Sequence, residues 1–217
     1  MIEIMNFQSK GYEGYVVPYT LIRTIEKREK LMILFPGAGY GSDKPLLHYA
    51  TMLYLENQFD VVHVNYDYSQ NHFKGKTAEE IYLALQHDVT QVIEEVLGRN
   101  EYKEYHLVGK SIGTIAMASL TEMEKLGQAK LVWLTPLLKN PAVYHSLRNC
   151  RQESLSIMGD QDPNYKGDLH KKIAENRKLQ KNLLNHADHS LEVAGNTIQS
   201  AELLKNVMLV MDAFIKE

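Results

Sequence analysis

The segment Gly109-Lys-Ser-Ile-Gly113 sets a serine midway between two glycines. That spacing suits a sharp strand-to-helix turn, which pushes the serine hydroxyl into the open while small residues let strand and helix pass closely. A hydroxyl near its free pKa is a poor nucleophile. It needs a base, and the base needs a third group to hold it. Downstream, Met158-Gly-Asp-Gln-Asp-Pro163 offers two carboxylates, Asp160 and Asp162, and Asn185-His-Ala-Asp-His-Ser-Leu191 offers two histidines, His186 and His189. The order along the chain is serine, acid, histidine. Upstream, Pro36-Gly-Ala-Gly-Tyr-Gly41 is a glycine-rich loop whose bare backbone N–H groups can face a ligand.

Other chemistries fit these segments less well. A dinucleotide-binding turn needs a third glycine three positions after its second, and the 36–41 loop lacks it in both registers. Gly109-Lys-Ser could close a phosphate-binding loop, but Glu104 stands where that loop needs its first glycine, and Tyr105-His-Leu-Val108 reads as strand rather than flexible loop. His186 and His189 have the spacing of a metal pair, yet no Cys, His or Glu cluster elsewhere supplies a third ligand. No metal or cofactor is expected.

Short apolar, β-rich runs at 14–24, 31–35, 59–65, 105–108, 130–135, 153–157 and 178–184 are the strands that would position these residues. Helices are expected at 44–56, 77–97, 111–126, briefly at 142–147, at 168–176 and at 198–214, where Leu204, Val207, Met211 and Phe214 make one core-facing stripe. Such alternation predicts an α/β domain, residues 1–217, with a mainly parallel sheet and helices on both faces. Ligands of such sheets bind beyond the carboxyl ends of the strands, which is where the serine, acid, histidine and glycine segments fall.

Composition narrows the function classes. The 217 residues carry 24 Lys+Arg against 27 Asp+Glu, a formal charge of −3, with no basic run that would suit nucleic acid. Apolar runs such as Leu31-Met-Ile-Leu-Phe35 are far short of the ~18 residues of a membrane span. The start, Met1-Ile-Glu-Ile-Met-Asn, does not read as a signal peptide. With Cys150 as the single cysteine, a reducing cytoplasm is the expected location, with a small molecule rather than nucleic acid or membrane as partner.

Four blocks in this order resemble the α/β-hydrolase superfamily over nearly the whole chain: Leu34-Phe-Pro-Gly-Ala-Gly39, Val108-Gly-Lys-Ser-Ile-Gly113, Gly159-Asp-Gln-Asp162 and Ala187-Asp-His-Ser-Leu191. The resemblance implies Ser111 as nucleophile and His189 as general base and acid. It selects Asp162 as the orienting carboxylate, with Asp160 as the fallback. It also implies an oxyanion hole of two backbone N–H groups, that of Ile112 and that of Ala38, with Gly39 or Tyr40 as donor in a shifted loop. Pro36-Gly37 stands where many members have His-Gly. The 139–152 interval is too short for a helical cap, so a nearly capless serine hydrolase is expected, acting on a small ester, thioester or amide. A non-hydrolytic binding protein on the same fold is the alternative.

Four more residues are read as substrate-pocket candidates: Gly39, Tyr40, Lys110 and Tyr144. For Lys110 the plainer reading is an exposed or salt-bridged lysine. For Tyr40 it is a surface tyrosine.

Overall fold

The computed structural model describes residues 1–99 and 101–217. Eight strands form one sheet: β1 (Ile2–Lys10), β2 (Val16–Thr24), β3 (Lys30–Phe35), β4 (Phe59–Val64), β5 (Glu104–Lys110), β6 (Lys130–Leu134), β7 (Ser154–Gly159) and β8 (Leu179–Leu184). Their spatial order is β1-β2-β4-β3-β5-β6-β7-β8. Strand β2 is antiparallel to both neighbours, and β3 to β8 are parallel.

The central strands are buried on both faces, which explains why they read as unbroken apolar runs rather than alternating ones. In β3, Met32 and Leu34 face a layer made by α1 (Pro45–Glu56) and α6 (Thr197–Lys216), where Leu47, Tyr54, Val207, Met211 and Phe214 are buried. Leu31, Ile33 and Phe35 face the opposite layer, made by α2 (Ala78–Arg99), α3 (Ile112–Leu120) and α4 (Pro141–Asn149). A short helix, α5 (Gly167–Lys172), precedes β8. The predicted architecture is therefore the observed one. Between β6 and β7 the only helix among the described residues is α4, nine residues long, so no large cap covers the sheet's carboxyl edge. Among the described residues no helix is long and apolar enough to cross a membrane.

Two elements differ from expectation. Strand β1 was not anticipated, because its apolar residues fall on both faces: Met5 and Phe7 pack inward while Ile2 and Ile4 are exposed, which hides the two-residue period. Helix α3 ends at Leu120 rather than continuing to 126. Ser119 and Thr121 donate their hydroxyls to the carbonyls of Ala116 and Ala118, a local bonding pattern that competes with helix continuation.

The contact between β3, β5 and α3 is close enough to exclude any side chain at two glycines. A β-carbon on Gly113 would sit 2.0 Å from the Phe35 carbonyl oxygen, and one on Gly109 would sit 2.6 Å from the Gly113 carbonyl oxygen. Gly113→Ala is expected to destabilise the fold by about 1–3 kcal/mol, since rigid backbone must move to admit the methyl. Gly98→Ala, with nothing within 4 Å, is the control and should be neutral or stabilising. Thermal melts of the two variants check this; equal melting temperatures would contradict the packing.

Candidate active site

Ser111 sits at the junction of β5 and α3 with φ 53° and ψ −117°, a backbone region that non-glycine residues adopt only at a cost of about 1–3 kcal/mol. The surroundings hold it there. Its N–H donates to Leu134 O at 3.1 Å, and its carbonyl accepts from Thr114 N at 2.9 Å and Thr114 Oγ1 at 2.6 Å. The absence of side chains at Gly109 and Gly113 lets α3 start directly behind the turn.

The loops after β7 and β8 bring acid and histidine to this serine. His189 Nε2 lies 2.9 Å from Ser111 Oγ, and His189 Nδ1 lies 2.7 Å from Asp162 Oδ2. The Asp162 side chain is fully buried, and the His189 side chain is one-third exposed. The free oxygen of the carboxylate, Oδ1, accepts from Asn164 N at 2.7 Å and Asn164 Nδ2 at 3.3 Å. Asp160 is engaged differently: its Oδ1 accepts from His186 N at 2.7 Å, which laces the two loops together. Gly159 completes the lacing, since a β-carbon there would lie 2.0 Å from Ala187 O. His186 is exposed and takes no part in the series. A hydroxyl bonded to an imidazole, itself held by a buried carboxylate, is an arrangement able to take the hydroxyl proton as a bond to carbon forms.

Beside this series opens a cavity of about 720 Å3, lined by Gly37, Ala38 and Gly39, by Asp43, by residues 65–69 after β4, and by Ile81 and Ile112. Ala38 and Ile112 both line it. Ile112 is the first residue of α3, so its N–H has no acceptor within the helix. Ser111, Asp162 and His189 do not themselves line the cavity; it adjoins the series through Ile112, next to the serine, and through Gly37, where a β-carbon would lie 3.4 Å from Ser111 Cβ. A separate groove of about 750 Å3, lined by Tyr49, Leu53 and Leu204, lies between α1 and α6.

Of the four pocket candidates, only Gly39 lines this cavity. Tyr40 turns away from it. Its ring lies 4.5 Å from Lys110 Nζ, and its hydroxyl accepts from Leu46 N at 3.3 Å. Lys110 is not exposed, and among the described residues it has no salt-bridge partner. It is 1% exposed, and its ammonium donates to His189 O at 2.9 Å and Thr135 Oγ1 at 3.2 Å. Tyr144, on α4, packs against the core and is absent from the cavity wall.

The far wall is a feature that the sequence reading missed. Tyr66 donates its hydroxyl to Pro36 O at 2.6 Å, and Tyr68 donates to the buried carboxylate of Asp88 at 2.9 Å. Asp67 is clamped through its backbone by Tyr15, whose hydroxyl donates to Asp67 O at 3.3 Å and accepts from Asp67 N at 3.1 Å. Burial pushes the Tyr66 and Tyr68 hydroxyls well above the usual phenol range, so they stay protonated donors. The signal was available: residues 65–69 follow a strand end, as the serine and glycine segments do.

With this geometry in view, sequence and structure comparisons agree. The profile of the family described as "Alpha/beta hydrolase domain" matches residues 28–216. The chain belongs to the alpha/beta hydrolase family. No curated protein is significantly similar to it in sequence. Among solved structures, this alpha/beta hydrolase superposes on an α/β serine hydrolase without lid from Xanthomonas campestris, with a TM-score of 0.73 at 15% identity over 99% of this chain and 94% of that one. It also superposes on an esterase from Pyrococcus furiosus, with a TM-score of 0.74 at 13% identity over 99% and 92% of the two chains. A cold-adapted esterase from an Arctic intertidal metagenomic library gives a TM-score of 0.71 at 11% identity over 98% and 94%. At these identities the likeness is one of fold. Among the described residues no three His, Cys, Asp or Glu side chains are grouped to hold a metal ion.

Proposed function

We propose that this alpha/beta hydrolase is a serine hydrolase that cleaves a small ester, thioester or amide through an acyl-enzyme on Ser111. The observation that carries the proposal is the unbroken hydrogen-bonded series from Ser111 Oγ through His189 to buried Asp162, with the serine on a strained turn. In the proposed cycle His189 Nε2 takes the proton from Ser111 as Oγ attacks the acyl carbon, while Asp162 holds the proton of Nδ1 and so fixes the ring's tautomer. The oxyanion is received by the N–H groups of Ile112 and Ala38, each donor contributing about 3 kcal/mol to lowering the barrier. His189 then protonates the leaving group, and a water activated by the same nitrogen releases the acid.

The cavity wall narrows the substrate. Among the described residues lining it are the carboxylates Asp43 and Asp67 and no Lys, Arg or His. Neutral or cationic substrates are therefore favoured over those bearing carboxylate or phosphate near the scissile bond. One cysteine, with its thiol pushed up by burial, suits a chain that works in a reducing cytoplasm.

A fluorophosphonate probe with mass mapping tests the nucleophile, and a panel of p-nitrophenyl esters tests the charge preference. Labelling confined to Ser111 is expected, together with slower turnover of esters with anionic acyl groups. An unreactive Ser111 in folded protein would sink the proposal. Ligand-induced melting shifts without any turnover would point instead to a binding protein.

A further inference from the structure

We propose that Lys110 is a positioning residue, whose ammonium ties the loop carrying His189 and the loop carrying Ala38 to the end of the strand that leads into Ser111. The inference rests on the proposed role of Ser111 and extends it to a residue outside the hydrogen-bonded series.

Burying an ammonium is among the costliest placements a side chain can take, and an apolar side chain of similar length would fill the same space without that cost. Lys110 is nonetheless 1% exposed, and among the described residues no carboxylate lies within salt-bridge distance of it. Its partners are chosen from three segments. From the loop after β8 comes the carbonyl of His189 itself, at 2.9 Å. From the turn after β6 comes Thr135 Oγ1, at 3.2 Å, on a residue with φ 45°. From the loop after β3 comes the face of Tyr40, 4.5 Å away. Tyr40 in turn closes a reciprocal pair with Gly37, N–H to O at 3.1 Å and 3.2 Å, and Ala38 is enclosed in that turn. Moving the ammonium therefore moves both the imidazole and the proposed oxyanion donor, and a displacement of about 1 Å in such parts can cost 100-fold in rate.

The tie is also sensitive to pH. Burial pushes the Lys110 amine down to about 8, opposed by the charges of Asp162, Asp188 and Glu192 in the loops after β7 and β8. Tyr40, whose ring faces the ammonium, is pushed above the usual phenol value by burial and stays neutral through this range. Above about pH 8 the amine loses its charge. The attraction to the Tyr40 face is then lost and the bond to the His189 carbonyl weakens.

The rate of fluorophosphonate labelling of Ser111, followed from pH 6 to pH 10, reads this out without any need to know the substrate. Wild-type protein should label with a rate that falls about tenfold across a limb near pH 8. Lys110→Met should label 10- to 100-fold more slowly at pH 7 and show no limb. Tyr40→Leu should move the limb to lower pH, whereas Tyr40→Phe, which keeps the ring, should leave it in place; this pair tests the tie even where Lys110→Met does not fold. A flat wild-type profile, a limb that persists in Lys110→Met, or the same limb in both Tyr40 variants would overturn the role of Lys110 alone. Folded wild-type protein that is unlabelled at every pH would overturn the reading of Ser111 and this inference with it.

Discussion

Under the proposed mechanism, Ser111→Ala is expected to abolish fluorophosphonate labelling and to lower kcat by about 10^4- to 10^6-fold, the range in which loss of a serine nucleophile falls when the rest of the machinery stays in place. The protein itself should survive the change. Alanine keeps the β-carbon that the turn already accommodates at φ 53°, and the bonds that hold the turn, from Ser111 N to Leu134 O and from Thr114 to Ser111 O, run through the backbone. The melting temperature should therefore shift by no more than a few degrees while turnover disappears. Activity above a tenth of wild type on the best ester of the panel would show that the reaction does not pass through this oxygen.

Asp162→Asn should lower kcat by about 10^4-fold with little change in overall shape. The reason lies in which oxygen does what. Oδ1 accepts from both the backbone N–H and the side-chain amide of Asn164, so an asparagine at 162 keeps its carbonyl oxygen there. Its NH2 then faces His189 Nδ1 where Oδ2 had been, 2.7 Å away. Nδ1 must accept, the ring proton moves to Nε2, and Nε2 can no longer take the proton of Ser111. Asp160→Asn is the informative partner. Asp160 binds His186 N and not the imidazole, so the change should cost less than about tenfold, through loosening of the loop alone. Steady-state kinetics of the two variants separate the roles, and a larger loss in Asp160→Asn would reverse the assignment.

What the sequence could reveal divides along a physical line. The Gly109 to Gly113 turn was legible because its geometry is local: two missing side chains and one serine within five residues determine it. The choice between Asp160 and Asp162 needed a family resemblance, since both stand at the same strand end and only the path of the β8 loop decides which one meets the imidazole. Lys110 was misread because a lysine's charge ordinarily keeps it in water, and the partners that reverse this lie 25 and 79 residues away. The wall at 65–69 was missed for a similar reason. Tyr66 and Tyr68 look like ordinary loop tyrosines until Pro36, 30 residues upstream, and Asp88, 20 residues downstream, are brought against them. Strand β1 escaped because an edge strand can expose isoleucine on its outer face, and periodicity then carries no message.

The brevity of the chain between β6 and β7, where α4 is the only helix among the described residues, bears on the timing of the proposed reaction. With no large flap among the described residues to swing aside, substrate capture in the proposed reaction would be a collision with an open face, and departure of the acid would wait on no slow rearrangement. The acylated serine would also remain within reach of bulk solvent, which competes against any other alcohol or amine for the acyl group. On the proposed mechanism such a site would favour hydrolysis over transfer, and it would select by the chemistry at its rim rather than by enclosure.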